Sequence, residues 1–355
     1  MPAPTRPLHL AVAIDGRGQY GASSYVELAQ LAERGALDFV TLDDSLAPPQ
    51  DGTGRLDALA VLTRVAPVTD RIGLVPTVTT THTEPFHVSA ALATLDWVSG
   101  GRAGWTVDVS TTEAEARHFG RRPVAQSDAL WREAGEVADV VARLWDSWED
   151  DAEIRDIPTG RFIDRDKLHY VDFQGTGFSV KGPSIVPRPP QGHPVIAVRA
   201  TDLGAFDVAA RYADIVHVRA ADRASAVTAR DTLRAGAVAA GRDPGTLTVL
   251  ADLAVDLSGA ESAFGVQPDR SATYAGGPVG LAELIADWHT AGAVDGFHIR
   301  PAEPRRDLER FVNGTVALLQ HRGLFRGFHP GTTLREHLGL GRPANRYALE
   351  REAAR

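Results

Sequence analysis

The sequence predicts a (β/α)₈ barrel of the α/β class, and three observations carry that expectation. Short β-rich runs alternate with amphipathic, helix-period stretches about eight times along the 355 residues. Strand-then-helix order requires parallel pairing, because each crossover needs a helix to return the chain. The rival, an open doubly wound sheet that binds nucleotides, would show GxGxxG after the first strand; residues 15–21 read DGRGQYG, with the wrong spacing.

The strands are expected at residues 8–14, 38–42, 72–78, 102–109, 194–198, 215–218, 247–253 and 296–299. Between and after them, apolar residues at three- and four-residue spacing predict helices at 25–34, 56–65, 89–98, 129–145, 205–212, 224–240, 281–291 and 307–321. One segment breaks the rhythm. Residues 148–192, between strands 4 and 5, are polar and punctuated by Pro and Gly, and the apolar pieces 170–173 and 178–180 are spaced to pair as a hairpin. Loops of this length are usually functional or disordered, and the aromatics here predict an ordered flap over one barrel end, covering the site. A smaller interruption falls at 258–277, and residues 323–355 read as a C-terminal extension laid on the barrel, so the whole of 1–355 forms one domain.

Composition narrows the function classes. Lys plus Arg is 37 against 46 Asp plus Glu, a formal charge of −9, which lacks the basic footprint that nucleic-acid binding needs. With no cysteine there is no thiolate nucleophile, disulfide or Cys-ligated metal, in keeping with a reducing, cytoplasmic setting. No apolar run approaches the ~20 residues of a membrane span, and the first 14 residues read as a strand rather than a signal peptide.

In a βα barrel the reactive face is built from strand C-terminal ends and the loops after them. Those places hold Asp43-Asp44-Ser45, then Thr79-Thr80-Thr81-His82, then Trp105-Thr106-Val107-Asp108, then Arg199-Ala200-Thr201-Asp202, and finally His217-Val218-Arg219 and His298-Ile299-Arg300. Each has an ordinary structural reading: an Asp at a strand-to-helix turn often caps the helix, a Thr run suits a strand, and Thr201 suits an N-cap. His82, His217 and His298 are single histidines with no metal-ligand spacing, so no metal site is expected. With Arg300 they are pocket residues by position alone, and no acid or base can be named. The GxSxG of a serine hydrolase is missing.

Several stretches resemble the luciferase-like flavin-dependent monooxygenases, in particular the subgroup of the nitrilotriacetate and sulfone monooxygenases. They are LDFVTLDDS (37–45), IGLVPTVTTTHTEP (72–85), LDWVSGGRAGWTVDVS (95–110), LWDSWEDDA (144–152), FSVKGPSIVPRPPQGHPVI (178–196) and much of 295–346, so the resemblance runs through nearly the whole chain in order. It implies a (β/α)₈ barrel that binds reduced FMN, supplied by a separate flavin reductase, and activates O₂ for a small organic substrate, in a homodimer or homotetramer. It also implies cofactor-binding residues: Asp44 near the flavin, Thr79 and Thr80 where the backbone runs against the ring, and Thr201, beside Ala200, where a hydroxyl helps hold the phosphate.

The chain departs from that pattern at four places. Thr106 stands where the family has an Asn that addresses the ring, and Val109 where it has a hydroxyl; Leu130-Trp131 replaces a phosphate-facing Arg-Tyr pair; Arg199 replaces a Gly. An Arg–phosphate contact contributes ~1.5–3 kcal/mol, and Arg199 is a candidate to restore that charge. Two other readings stand beside the monooxygenase: a degenerate barrel with weakened flavin binding that serves as a binding or partner subunit, and a deazaflavin-dependent oxidoreductase.

Overall fold

The computed structural model describes residues 6–16, 18–47, 53–259, 263–266 and 272–353; parts of the 258–277 interruption therefore lie outside the described residues. Eight parallel strands form the barrel: β1 (His9–Ala13), β2 (Phe39–Leu42), β3 (Gly73–Thr79), β4 (Gly104–Asp108), β5 (Val195–Ala200), β6 (Ile215–Val218), β7 (Thr248–Asp256) and β8 (Gly296–Pro301). Each pairs with the next, Thr106 opposite Ala197 and Arg199 opposite His217 for example, and β8 pairs with β1, so the sheet closes. Four strands run further than the sequence predicts. β3 continues through Thr79, β5 through Arg199 and Ala200, β7 through Asp256 and β8 through Arg300 and Pro301, because parallel neighbours supply the ladder partners there.

Helices α1 (Ala22–Arg34), α2 (Ala58–Val65), α3 (Pro85–Ser99), α4 (Glu113–Phe119), α5 (Ser127–Asp146), α6 (Leu203–Tyr212), α7 (Arg223–Ala239) and α8 (Pro278–Thr290) surround the sheet. Local chemistry starts and stops them. Asp57 caps α2, Thr112 and Glu115 form a capping box on α4, and Pro85 opens α3, which ends at Gly100 in the left-handed region. The cap of α6 is Asp202, whose carboxylate accepts the Ala205 N–H; the expected Thr201 cap is displaced by one residue. After β8 the expected single helix is α9 (Pro304–Arg310), a π-helical stretch at Phe311–Val316 and α10 (Ala317–His321).

Alternation along each strand sorts the side chains. Outward positions such as Trp105, Val107 and Val198 pack against α3, α5 and α6. Inward positions at the N-terminal end are apolar: Ala11, Phe39, Val75, Val195, Ala197, Ile215 and Leu250. Into that end the C-terminal extension inserts Leu334 and Leu338 from α11 (Leu334–His337) and the turn after it. Gly73 and Gly104 make room, since a Cβ on Gly73 would lie 2.6 Å from a Leu334 methyl.

The 148–192 insertion does not roof the strand C-terminal ends. Its hairpin forms as expected, Phe173–Gln174 pairing with Ser179–Val180, but packs on α5, where Thr176 donates to Glu136. Its later part reaches the opposite end, with the Arg188 guanidinium on Asp146 and Gln191 on Asp96 and the Ala103 carbonyl. The reason is topological. A helix returns the chain to the N-terminal ends of the strands, so a segment between α5 and β5 begins and ends there. A connection at the barrel mouth is instead the one from β4 to α5, which carries α4; Glu115 on α4 meets the Ser45 hydroxyl at 3.2 Å.

Candidate active site

Above the apolar floor, the inward alternation turns polar. The period of two carries Asp15, Thr41 and Asp43, Thr77 and Thr79, Thr106 and Asp108, Arg199, His217 and Arg219, Asp252, and His298 and Arg300 into the upper barrel. Arg199 spans the mouth. Its guanidinium is paired with the Asp43 carboxylate, lies 3.3 Å from the Thr77 hydroxyl and 3.8 Å from Asp108, and burial pushes its pKa down from the ordinary arginine value.

Two carboxyls here are shifted towards neutrality. Burial pushes Asp15 up to about 6, against the pull of Arg199 and Arg300, and one of its oxygens accepts the Asp43 N–H at 2.7 Å. Burial pushes Asp108 up to about 6 as well, against the Val109 N–H that it accepts at 2.8 Å. A group titrating near 6 both holds and releases a proton under ordinary conditions, which is what acid–base work requires.

One layer down, Asp252 lies between two imidazoles. Its Oδ1 is 2.7 Å from His298 Nδ1 and 3.4 Å from His217 Nδ1, and the two rings meet edge to face at 4.5 Å. Burial opposes the Asp252 charge, but the His217 and His298 imidazoles on either side hold it well below the usual carboxylate range. Burial pushes His298 down to about 4, so at neutral pH its Nδ1–H donates to Asp252 and its Nε2 accepts from the Thr41 hydroxyl at 2.8 Å.

Thr79, Thr106 and Arg199 thus lie at or just below the mouth, and Thr80 follows the end of β3, one step out of that alternation. Thr80 donates its hydroxyl to the Asp108 carbonyl at 3.1 Å, whereas the buried Thr106 Oγ1 and Ser110 Oγ have no hydrogen-bond partner. Asp44 stands at the rim and serves local structure. It accepts the N–H groups of Ser45 and Ala58 at 2.7 and 3.0 Å and meets Arg55 at 3.2 Å, and burial raises its pKa. Trp131 is buried behind the mouth beside Gly204, its indole N–H donated to Asp202 at 3.1 Å. Ala200 is buried at the end of β5 and Thr201 is exposed just before the Asp202 cap. His82 adopts a left-handed backbone with φ of 69°, stacks on Phe119 at 4.9 Å, and leaves a buried Nδ1 unpartnered. Such a backbone conformation in a non-glycine residue is costly and concentrates at functional sites. A cleft of about 330 Å³ between α1 and α9, lined by Tyr25, Glu303 and Arg305, also reaches Ile14 and Gly16 on either side of Asp15.

Chain spacing alone missed Asp15 and Asp252 and argued against any metal ligands. His217, Asp252 and His298 are far apart in sequence, yet β6, β7 and β8 are consecutive staves, so the three donors lie within 4.8 Å of one another. The signal that would have found them is the inward alternation, counted on each strand from its apolar floor residue.

Comparison with known proteins agrees with the closed parallel barrel. The chain is 32% identical to N-acetyl-S-(2-succino)cysteine monooxygenase of Bacillus subtilis (strain 168) and 31% identical to nitrilotriacetate monooxygenase component A of Aminobacter aminovorans, each over 91% of both chains. Its fold superposes on EDTA monooxygenase from Chelativorans sp. BNC1 with a TM-score of 0.85, 23% identity, and coverage of 95% of this chain and 99% of that one. A profile described as luciferase-like monooxygenase matches residues 9–308, and the chain belongs to that family.

Proposed function

We propose that this flavin-dependent monooxygenase is the oxygenase component of a two-component system, taking reduced FMN from a separate flavin reductase and using O₂ to oxidise a small organic substrate at the barrel mouth. Support comes from family membership over residues 9–308 and from a relative named as component A. The observation that carries the site is the unpartnered, buried Thr106 hydroxyl on β4, opposite the buried Thr77 and one inward step below the pairing of the buried Thr79 with Asp108. A buried hydroxyl without a partner is costly to the free protein and is made good by a ligand that pairs with it.

The residues present suit the flavin's polar ring edge better than its phosphate. Thr79, Thr80 and Thr106 would hold the ring, with Arg199 supplying positive charge. Thr201 and the first N–H groups of α6 would meet the phosphate, where a helix N-terminus favours an anion. Asp202 stands there with its charge engaged by Ser127, Trp131 and the Ala205 N–H. Reduced FMN, when bound, supplies the electrons that activate O₂. The protein's own part is to bind, to exclude water, and to hold or release a proton at the Asp15 and Asp108 carboxyls.

The Arg199–Asp43 pair across the mouth favours a second reading, a barrel with weakened flavin binding that serves as a partner subunit. Anaerobic titration with reduced FMN, beside oxidised FMN and a deazaflavin, separates the readings. Saturable binding with reduced FMN preferred supports the oxygenase; preference for the deazaflavin, or no flavin binding, overturns it.

A further inference from the structure

The geometry points to a binding site for a divalent first-row transition-metal ion, of the zinc, cobalt or iron(II) kind, formed by His217, Asp252 and His298 in the upper barrel. The site stands apart from the flavin reading, since none of its residues is among those assigned to FMN.

Three observations converge on it. The first is placement: one inward side chain from each of three consecutive staves, β6, β7 and β8, all buried, with donor atoms within 4.8 Å of one another. An ion bound at ~2.0–2.2 Å to nitrogen and oxygen in tetrahedral geometry separates its donors by about 3.4 Å. Asp252 Oδ1 is 3.4 Å from His217 Nδ1 and 2.7 Å from His298 Nδ1, so a small opening of one pair seats the ion.

The second is an unpartnered ring. His217 is 2% exposed, and neither of its nitrogens has a hydrogen-bond partner, although Nδ1 is directed at the Asp252 carboxylate. Buried imidazoles are ordinarily paired, and ligation through Nδ1 supplies the missing partner. The third is an outer contact. With His298 Nδ1 on the ion, its Nε2–H donates to Thr41 Oγ1, 2.8 Å away, the kind of contact that fixes the ring of a metal-bound histidine.

Charge and donor chemistry decide the class of ligand. The inward polar positions hold four carboxylates (Asp15, Asp43, Asp108, Asp252) against three guanidinium groups (Arg199, Arg219, Arg300), and the Arg199 charge is already paired with Asp43. That balance suits a cation. Two imidazoles with one carboxylate select first-row transition ions over magnesium or calcium, which take oxygen donors.

The test uses the whole chain, treated with chelator, dialysed and titrated with Co²⁺ under a visible-absorption readout, then with Zn²⁺ in competition. The expected result is one equivalent of Co²⁺ with intense ligand-field bands of low coordination number, displaced by one equivalent of Zn²⁺. His217→Ala and Asp252→Asn should weaken binding at least 100-fold and Thr41→Val about tenfold, while His321→Ala, at an exposed helix end, changes nothing. Wild-type protein that takes up no stoichiometric Co²⁺ overturns the assignment whatever the variants do. So does binding that His217→Ala leaves intact in protein with native circular dichroism.

Discussion

Arg199 on β5 bonds the carboxylate of Asp43, just past the end of β2, so a single guanidinium bridges two staves with β3 and β4 between them. Asp15 feels the same charge, which lowers its pKa against the larger effect of burial. Arg199→Ala should therefore move the Asp15 titration above its value of about 6. Carboxyl-carbon NMR across pH 4–9 reads this directly, and a midpoint that stays put or falls would show that the charge does not act on Asp15.

Stability should respond to pH through the same group with a definite sign. The folded pKa of Asp15 lies above its unfolded value of ~3.9, so between about pH 4 and 6 the native state holds the extra proton and gains stability as pH falls. Asp38 acts oppositely. Burial would raise it, but His9 and Arg326 hold it far below the usual carboxylate range, so its contribution is complete above pH ~4 and is lost on further acidification. Asp15→Asn, which keeps an acceptor for the Asp43 N–H, should raise the melting temperature more at pH 8 than at pH 5. The reverse order would refute the assignment of the shift to burial.

Thr106→Val removes a buried hydroxyl that has no partner in the free protein. The free protein should be as stable as wild type or slightly more so, since the variant discards an unpaired polar group of nearly equal size. Reduced FMN should bind about five- to tenfold more weakly if the hydroxyl meets the ring. Unchanged affinity in the same titration would remove Thr106 from the site.

A buried ion pair is one of the anchors of the insertion. Arg188 and Asp146 are 2% and 1% exposed, and Arg188 also holds Asp150 and the Pro343 carbonyl. Removing one partner of such a pair typically costs ~3–5 kcal/mol. Arg188→Ala should lower stability by that order and raise amide hydrogen exchange through 181–192 and the adjoining C-terminal extension. Exchange that rises evenly over all eight strands instead would contradict a local clamp.

Leu334→Ala would open a void beside Gly73 and Gly104 on the barrel floor. A loss of about 2–5 kcal/mol in chemical denaturation is expected, as for large-to-small changes at buried leucines. A loss below 1 kcal/mol would mean that the extension does not plug the floor.

The alternation of strand and helix patterns was enough for the closed parallel barrel, because the periods of 2 and 3.6 are set by local backbone geometry and by which face meets the core. The resemblance in LDFVTLDDS and IGLVPTVTTTHTEP likewise led to the family, and Thr79, Thr106 and Arg199 do lie at or just below the mouth. Other features became visible only in three dimensions. Whether Arg199 turns to a ligand or to Asp43 depends on a residue more than 150 positions away, and its capture by Asp43 is a cross-barrel contact. The joining of His217, Asp252 and His298 depends on barrel closure placing three staves side by side. The insertion lies by the floor and not over the mouth because the helix before it returns the chain to that end. Local periodicity determines elements and faces; long-range closure determines which polar groups share a cavity, and so which chemistry the cavity can hold.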